Sequence, residues 1–360
     1  MLKYLHPIRV RQCATEEQRT HAWEIVKTYG TTHLARFALF EDKLYFFSSG
    51  GSMIAFALEK EVAIVLGDPI GPKEDLANCL TEFIGFCSRN GWRPIFYQVL
   101  PDHLVTYAVH NFNYFCIGHD AVIDLSMFSL DGRESKNIRN SFYKMIRLGH
   151  TIQVCNPPHS PSLMHELYQV SDEWLSNRGG FEIGFSIGRL DERYLNTCSI
   201  ILVRNQDGCA EAFANLILVE QRRHEVSVDL MRYRPGSHNG QMDYLFVSAI
   251  QWAQDWGFDT FNLGFSPFIG IGKEPRSPII ERTLRFIHEH TILGPNFKGL
   301  YFFKEKFNPT WSPRYLVYPG LISLPSVAIN IMRAYKVDHL IGQYLFKYRY
   351  EQLLGYLGKK

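Results

Sequence analysis

The sequence predicts an α/β protein of two lobes, each a mixed, mostly antiparallel sheet flanked by helices. Three observations predict it. The chain has 360 residues, long for one domain and comfortable for two. Short apolar runs alternate with longer segments of helical periodicity along its whole length. The order strands, helix, strand occurs in each half, as an internal duplication would leave it.

The first lobe, residues 1–125, begins with a helix over 16–29, whose apolar positions are Ala22, Trp23, Ile25 and Val26. Runs at 37–40, 44–48, 53–58 and 61–66 read as strands of an antiparallel meander, punctuated by Glu41-Asp42 and Gly50-Gly51. A helix over 74–90, a strand over 94–99, a short helix over 102–110 and a strand over 121–125 complete it. The second lobe, residues 126–320, opens with a basic helix over 136–148 and a strand over 151–154. A helix over 161–177 carries Leu163, Leu167, Val170 and Trp174 on one side. Strands follow at 198–204, 209–219 and 225–233, with hairpin signals at Gln206-Asp207-Gly208 and Gln221-Arg222. A polar loop over 234–239 leads into a helix over 240–256 and a strand over 260–265. A tail over 321–360 reads as helical, with Phe346, Tyr348 and Tyr350 among Lys336, Lys347 and Arg349.

Composition narrows the function classes. Hydrophobic residues make up 46% and charged ones 21%, which excludes a disordered chain. The net charge of +2 excludes a polycation, so any phosphate binding must come from local clusters. Seven scattered cysteines without a CxxC pair point to a reducing compartment, with no zinc site expected. No run reaches the roughly 20 apolar residues of a membrane span, and residues 1–11 show no leader pattern. The expected location is the cytoplasm, with contact at the inner membrane surface left open.

The stretch 225–242 carries the most chemistry. Asp229 and Arg232 lie on one strand among apolar neighbours. Residues three apart on a strand face opposite ways unless a bulge intervenes. Buried charges are costly unless paired or functional. The two residues are therefore a structural ion pair or a reaction centre. The loop after them ends at a helix N-terminus, where free N–H groups can cradle an anion, or where Asn239 simply caps the helix. GNAT-type acyltransferases hold their acyl donor with such a strand, loop and helix. Further on, Lys298, Lys304, Lys306 and Arg314 interleave with aromatics. That mixture suits phosphate contacts and stacking, or a solvated edge. Lys136, Arg139, Lys144 and Arg147 give the helix over 136–148 a basic face for nucleic acid or an anionic membrane, or for water alone.

Taken in order from about Thr20 to Pro319, these segments resemble the C-terminal catalytic domain of bacterial phosphatidylglycerol lysyltransferases and alanyltransferases, the multiple peptide resistance factors. The pieces include Leu66-Gly67-Asp68-Pro69-Ile70-Gly71-Pro72, Lys136-Asn137-Ile138-Arg139-Asn140 and Ala212-Phe213-Ala214-Asn215-Leu216. They continue through Ser227-Val228-Asp229-Leu230-Met231-Arg232, Asn239-Gly240-Gln241-Met242-Asp243 and Phe261-Asn262-Leu263-Gly264. They end with Phe297-Lys298-Gly299-Leu300, Phe303-Lys304-Glu305-Lys306-Phe307 and Pro313-Arg314-Tyr315-Leu316. The resemblance implies tandem GNAT-like folds, aminoacyl-tRNA as donor, and a phospholipid or other hydroxyl as acceptor, with no cofactor and no metal. It implies Asp229 and Arg232 as the catalytic pair. Asn239, Gly240, Asp243, Asn262, Lys298, Lys304, Lys306 and Arg314 would then bind substrate. The best-known members also carry a many-helix membrane portion that this sequence does not show, so lipid flipping is not expected of it. An acyl-CoA-dependent N-acyltransferase and a non-catalytic tRNA- or lipid-binding module are the competing expectations.

Overall fold

The structure, a computed structural model, describes residues 13–177, 182, 184–219, 225–272, 277, 281–282, 285, 294–320 and 324–335, with only the backbone of 294–298. Among these residues lie helices α1 (Glu16–Tyr29), α2 (His33–Phe37), α3 (Leu76–Arg89), α4 (Leu104–Val109), α5 (Lys136–Arg147), α6 (Pro161–Ser176), α7 (Glu192–Leu195), α8 (Gln241–Asp255), α9 (Gly294–Glu305) and α10 (Leu324–Ala334). The strands are β1 (Leu44–Phe47), β2 (Met53–Glu59), β3 (Val62–Leu66), β4 (Arg93–Val99), β5 (Phe112–Asp124), β6 (Thr151–Cys155), β7 (Ser199–Arg204), β8 (Ala210–Val219), β9 (Glu225–Tyr233), β10 (Thr260–Pro267) and β11 (Thr310–Pro319).

Local chemistry explains several boundaries. Thr15 and Gln18 close a capping box at the start of α1, and Glu16 and Glu17 complement its dipole. Ser160 caps α6, with Pro161 in the first helical position, where no N–H is needed. The β7–β8 hairpin turns on Asn205, whose side chain accepts from the N–H groups of Asp207 and Cys209.

All the strands join one sheet in the order β1-β2-β3-β4-β11-β5-β10-β9-β8-β7-β6. Each half repeats one plan: an antiparallel meander, then a parallel pair joined by a helix. In the first half the parallel pair is β3 and β4, connected through α3. In the second it is β9 and β10, connected through α8. The last strand of each half then crosses over. β11 pairs with β4, β5 pairs with β10, and β5 and β11 pair with each other along the middle of the sheet. The two halves are thereby stitched together by strand exchange.

On one face α5, α8 and Phe303 and Phe307 of the α9 region pack over β5, β7, β8, β9 and β10. Full burial of Leu245, Phe246 and Ile250 of α8 is worth about 1.5–3 kcal/mol per side chain. On the other face α6 covers the outer strands, and α2 and α10 cover the centre.

Two expectations need correction. Residues 37–40 are not a strand: Phe37 ends the short helix α2 and a turn follows, its aromatic side chains Phe37 and Phe40 stacked on each other. The run is apolar because it is buried under the sheet, and four apolar residues do not distinguish strand from helix. Asn239 is not the cap of α8 either. Gly240 takes that position at φ +106°, a conformation that favours glycine, and Asn239 is exposed. In the tail, α10 is helical as expected, and Lys336, Phe346, Lys347, Tyr348, Arg349 and Tyr350 lie outside the described residues.

Candidate functional site

A β-bulge brings Asp229 and Arg232 to one face. The register of β8 against β9 shifts between Ala214↔Met231 and Leu216↔Val228, so Asn215 stands opposite two residues, Asp229 and Leu230. Asn215 fills the gap: its side-chain oxygen accepts from the Leu230 N–H at 2.7 Å, and its amide donates to the Tyr194 hydroxyl at 3.0 Å. Beyond the bulge the alternation resumes one residue late. Leu230 joins the α6-side core, and Arg232 reaches Ser171 of α6.

Asp229 is partly accessible and held by three hydrogen bonds. The Tyr194 hydroxyl donates at 2.7 Å, and the Gly188 N–H donates to both carboxylate oxygens at 2.9 Å. A Cβ at position 188 would sit 2.1 Å from the carboxylate, so this approach requires glycine. Burial pushes Asp229 up to about 6, while the Tyr194 and Gly188 hydrogen bonds and the charges of His33 and Arg232 pull the other way. Burial likewise raises the Tyr194 hydroxyl well above its usual range, so it stays a donor.

Arg232 is buried, donates to Ser171 and Glu182, and stacks over Trp174 at 5.4 Å. Its partners are these and not Asp229, which forms no ion pair with it. Two of the five guanidinium donors are so occupied. The segment 184–190 ties both residues down: Gly188 reaches Asp229, and the Leu190 N–H donates to Glu182 at 3.2 Å. Buried Lys43, from the first half of the chain, anchors that segment through the Phe185 carbonyl at 2.8 Å.

A second polar cluster fills the seam where the strands exchange. Glu225, two strand periods before Asp229, contacts His33 at 3.1 Å and accepts from Asn262 at 3.0 Å. Arg314 of β11 donates twice to Asp120 of β5, at 2.9 and 2.5 Å. Burial pushes both carboxyls up, but His33 and Asn262 outweigh it at Glu225, and Arg314 and His33 outweigh it at Asp120. Both stay below the usual carboxylate range. Lys304 donates to the Gly264 and Phe265 carbonyls at 2.7 and 3.0 Å, where β10 breaks register. Burial pulls its ammonium down to about 7, against the opposing charge of Asp120. A positive charge on His33 favours the ionised forms of Asp229, Asp120 and Glu225 alike.

The family profile described as phosphatidylglycerol lysyltransferase, C-terminal, matches residues 23–318. The chain belongs to this lysyltransferase C-terminal family. Within it, the chain is similar to the phosphatidylglycerol lysyltransferase of Bacillus subtilis (strain 168), with 36% identity over 290 residues, 80% of this chain and 34% of that protein. It thus spans about a third of the length of the curated relatives it matches. Among solved structures, L-PGS from Bacillus licheniformis aligns with a TM-score of 0.76 and 30% identity, covering 91% of this chain and 99% of that one. The C-terminal domain of a putative lysylphosphatidylglycerol synthetase from Agrobacterium fabrum aligns with a TM-score of 0.76 and 32% identity, covering 88% and 95%.

On this lysyltransferase-family frame the sequence-derived residues fall into separate groups. Asn262, Lys304 and Arg314 meet in the seam cluster. Asp243, buried in the first turn of α8, pairs with Lys306 at 2.9 Å. Asn239 and Gly240 lie in the loop before α8, and nothing described joins them to Asp229. The Lys298 side chain lies outside the described residues. On α5, Lys136, Lys144 and Arg147 are exposed, whereas Arg139 turns back to the Leu130 and Gly132 carbonyls at 2.6 and 2.8 Å. No described helix is long and apolar enough to cross a membrane. Tyr194, Gly188, Glu182, Asn215, His33, Glu225 and Asp120 escaped the sequence reading as site residues. Asn215 alone left a signal, a buried-strand asparagine in Ala212-Phe213-Ala214-Asn215-Leu216.

Proposed function

We propose that this chain is an aminoacyltransferase that moves an aminoacyl group from charged tRNA to a hydroxyl of a phosphatidylglycerol-type lipid. The supporting observation is the carboxylate of Asp229, set on the bulge and poised near 6. A group with that value is mostly ionised at neutral pH yet basic enough to take a proton from an attacking hydroxyl. The lipid oxygen bonds to the ester carbonyl carbon as its proton passes to Asp229. The resulting oxyanion collapses, the bond to the tRNA ribose oxygen breaks, and Asp229 returns the proton to that leaving oxygen. Arg232, locked by Ser171, Glu182 and Trp174, stabilises negative charge nearby. One ester replaces another, so alignment is the main demand on the enzyme.

In this reading residues 1–125 and 126–320 form the two lobes, and the seam residues Asn262, Lys304 and Arg314 bind or orient substrate. Lys306, Asp243, Asn239, Gly240 and Lys298 border the donor path. The exposed basic residues of α5, with Arg139 bracing its first turn, contact tRNA phosphates, and the reaction takes place at the cytoplasmic membrane surface. The buried carboxylate of Asp243 in the first turn of α8 already answers the helix dipole there, which disfavours a CoA pyrophosphate at that terminus.

The test supplies radiolabelled lysyl- and alanyl-tRNA with phosphatidylglycerol vesicles and counts label in the organic phase. The expected result is lipid labelling that falls by about 10²–10⁴-fold in Asp229→Asn. Labelling from acetyl-CoA instead, or unchanged transfer in the variant, contradicts the proposal.

A further inference from the structure

We propose that His150, Glu211 and His238 form a binding site for a divalent cation of the zinc class. Their ligand atoms all lie within 4.8 Å of one another. They come from three places: the turn between α5 and β6, strand β8, and the loop leading into α8. His150 Nε2 stands 3.0 Å from the Glu211 carboxylate, and the two histidine rings are 5.4 Å apart at 81°. Zinc binds imidazole nitrogen and carboxylate oxygen at about 2.0–2.2 Å. Closing this set around an ion therefore needs a shift of about an ångström, and His238 can supply it. It is exposed, on a loop bounded by Gly236 and Gly240, both at positive φ.

Two buried side-chain atoms of neighbouring residues lack hydrogen-bond partners among the described residues. His150 is buried, and its Nδ1 has no hydrogen-bond partner among the described residues. Buried ring nitrogens without partners are exceptions in folded proteins. In the ion-free protein the Glu211 carboxylate accepts from Nε2–H, so a cation bound at Nε2 takes that proton's place and moves the ring proton to Nδ1. The adjacent Gln241, whose amide reaches toward the Glu211 carbonyl, is also buried with its side-chain oxygen unpartnered. Two imidazoles and one carboxylate match zinc, cobalt or nickel, and not the all-oxygen preference of calcium or magnesium. A cation here ties the 234–240 loop and the start of α8 to β8 and to the end of α5.

The experiment titrates zinc into the metal-stripped full chain in competition with a chromophoric chelator, and adds cobalt to read ligand-field absorption. Wild type is expected to hold one equivalent and to release it on acidification, because protonated ligands cannot bind the ion. His238→Ala and Glu211→Gln are expected to bind at least about 100-fold more weakly, beyond the 10–100-fold cost of losing an outer partner. The exposed position of His238 keeps that variant folded, which its unchanged metal-free melting temperature verifies. A Cys13→Ser/Cys209→Ser variant removes the two exposed thiols and is expected to retain the site. No stoichiometric binding, equal affinity in His238→Ala, or loss only with the thiols overturns the proposal.

Discussion

Asp229 shows why a strand sequence carries more than alternation. Its position and that of Arg232 were legible as buried charges, and a bulge was the stated condition for their sharing a face. The bulge itself was not legible, because it depends on Asn215 of the partner strand. Nor were Tyr194 and Gly188, which lie in a stretch without periodicity and reach Asp229 only through the fold. The raised value of Asp229 has a thermodynamic consequence. Its folded value, about 6, lies above the roughly 3.9 of an unfolded aspartate. Ionising it in the native state is therefore unfavourable, and the penalty is fully present above pH 6. Wild type regains stability as pH falls through 6 toward 4, by about 3 kcal/mol in all. Measured as unfolding free energy relative to Asp229→Asn, wild type is expected to gain on the variant between pH 8 and pH 4. A pH-independent difference contradicts the assigned environment.

The elements were read well where periodicity was long and unbroken, as in α1, α3, α5, α6 and α8. Reading failed where strands break the usual rules. β11 went unrecognised because Pro313 and Pro319 interrupt it and Arg314 lies at its centre, yet it is a central strand. Its register shifts beside Arg314, and those breaks make room for the charged seam. β5 was recognised only over its final residues, since Asn113, Tyr114 and Gly118 obscure the rest. The β8–β9 bulge is likewise an element with a testable cost. Asn215→Ala leaves the buried Leu230 N–H without its acceptor and frees Tyr194. Urea unfolding is expected to show a loss of about 1–3 kcal/mol from that donor alone. A loss under half a kilocalorie means that the bulge does not depend on Asn215.

At the level of the whole molecule, tandem construction was legible in the repeated order of elements, but strand exchange was not. Which strand lies beside which is set by long-range pairing that leaves no local pattern. The exchange makes the two halves interdependent: β4 and β5 each need β11 as a neighbour. A chain ending before Thr310 is therefore expected to lose cooperative unfolding, whereas the full chain melts in one calorimetric transition. Two separate transitions in the full chain contradict this interdependence.

The central claim is that Asp229 takes the proton of the attacking hydroxyl, and the pH dependence of aminoacyl transfer tests it most directly. With labelled aminoacyl-tRNA and phosphatidylglycerol vesicles, the rate is expected to climb through an acidic limb near 6. Asp229→Asn is expected to lie far below it without that limb. A wild-type rate flat from pH 5 to 8, or the same limb persisting in Asp229→Asn, contradicts the account.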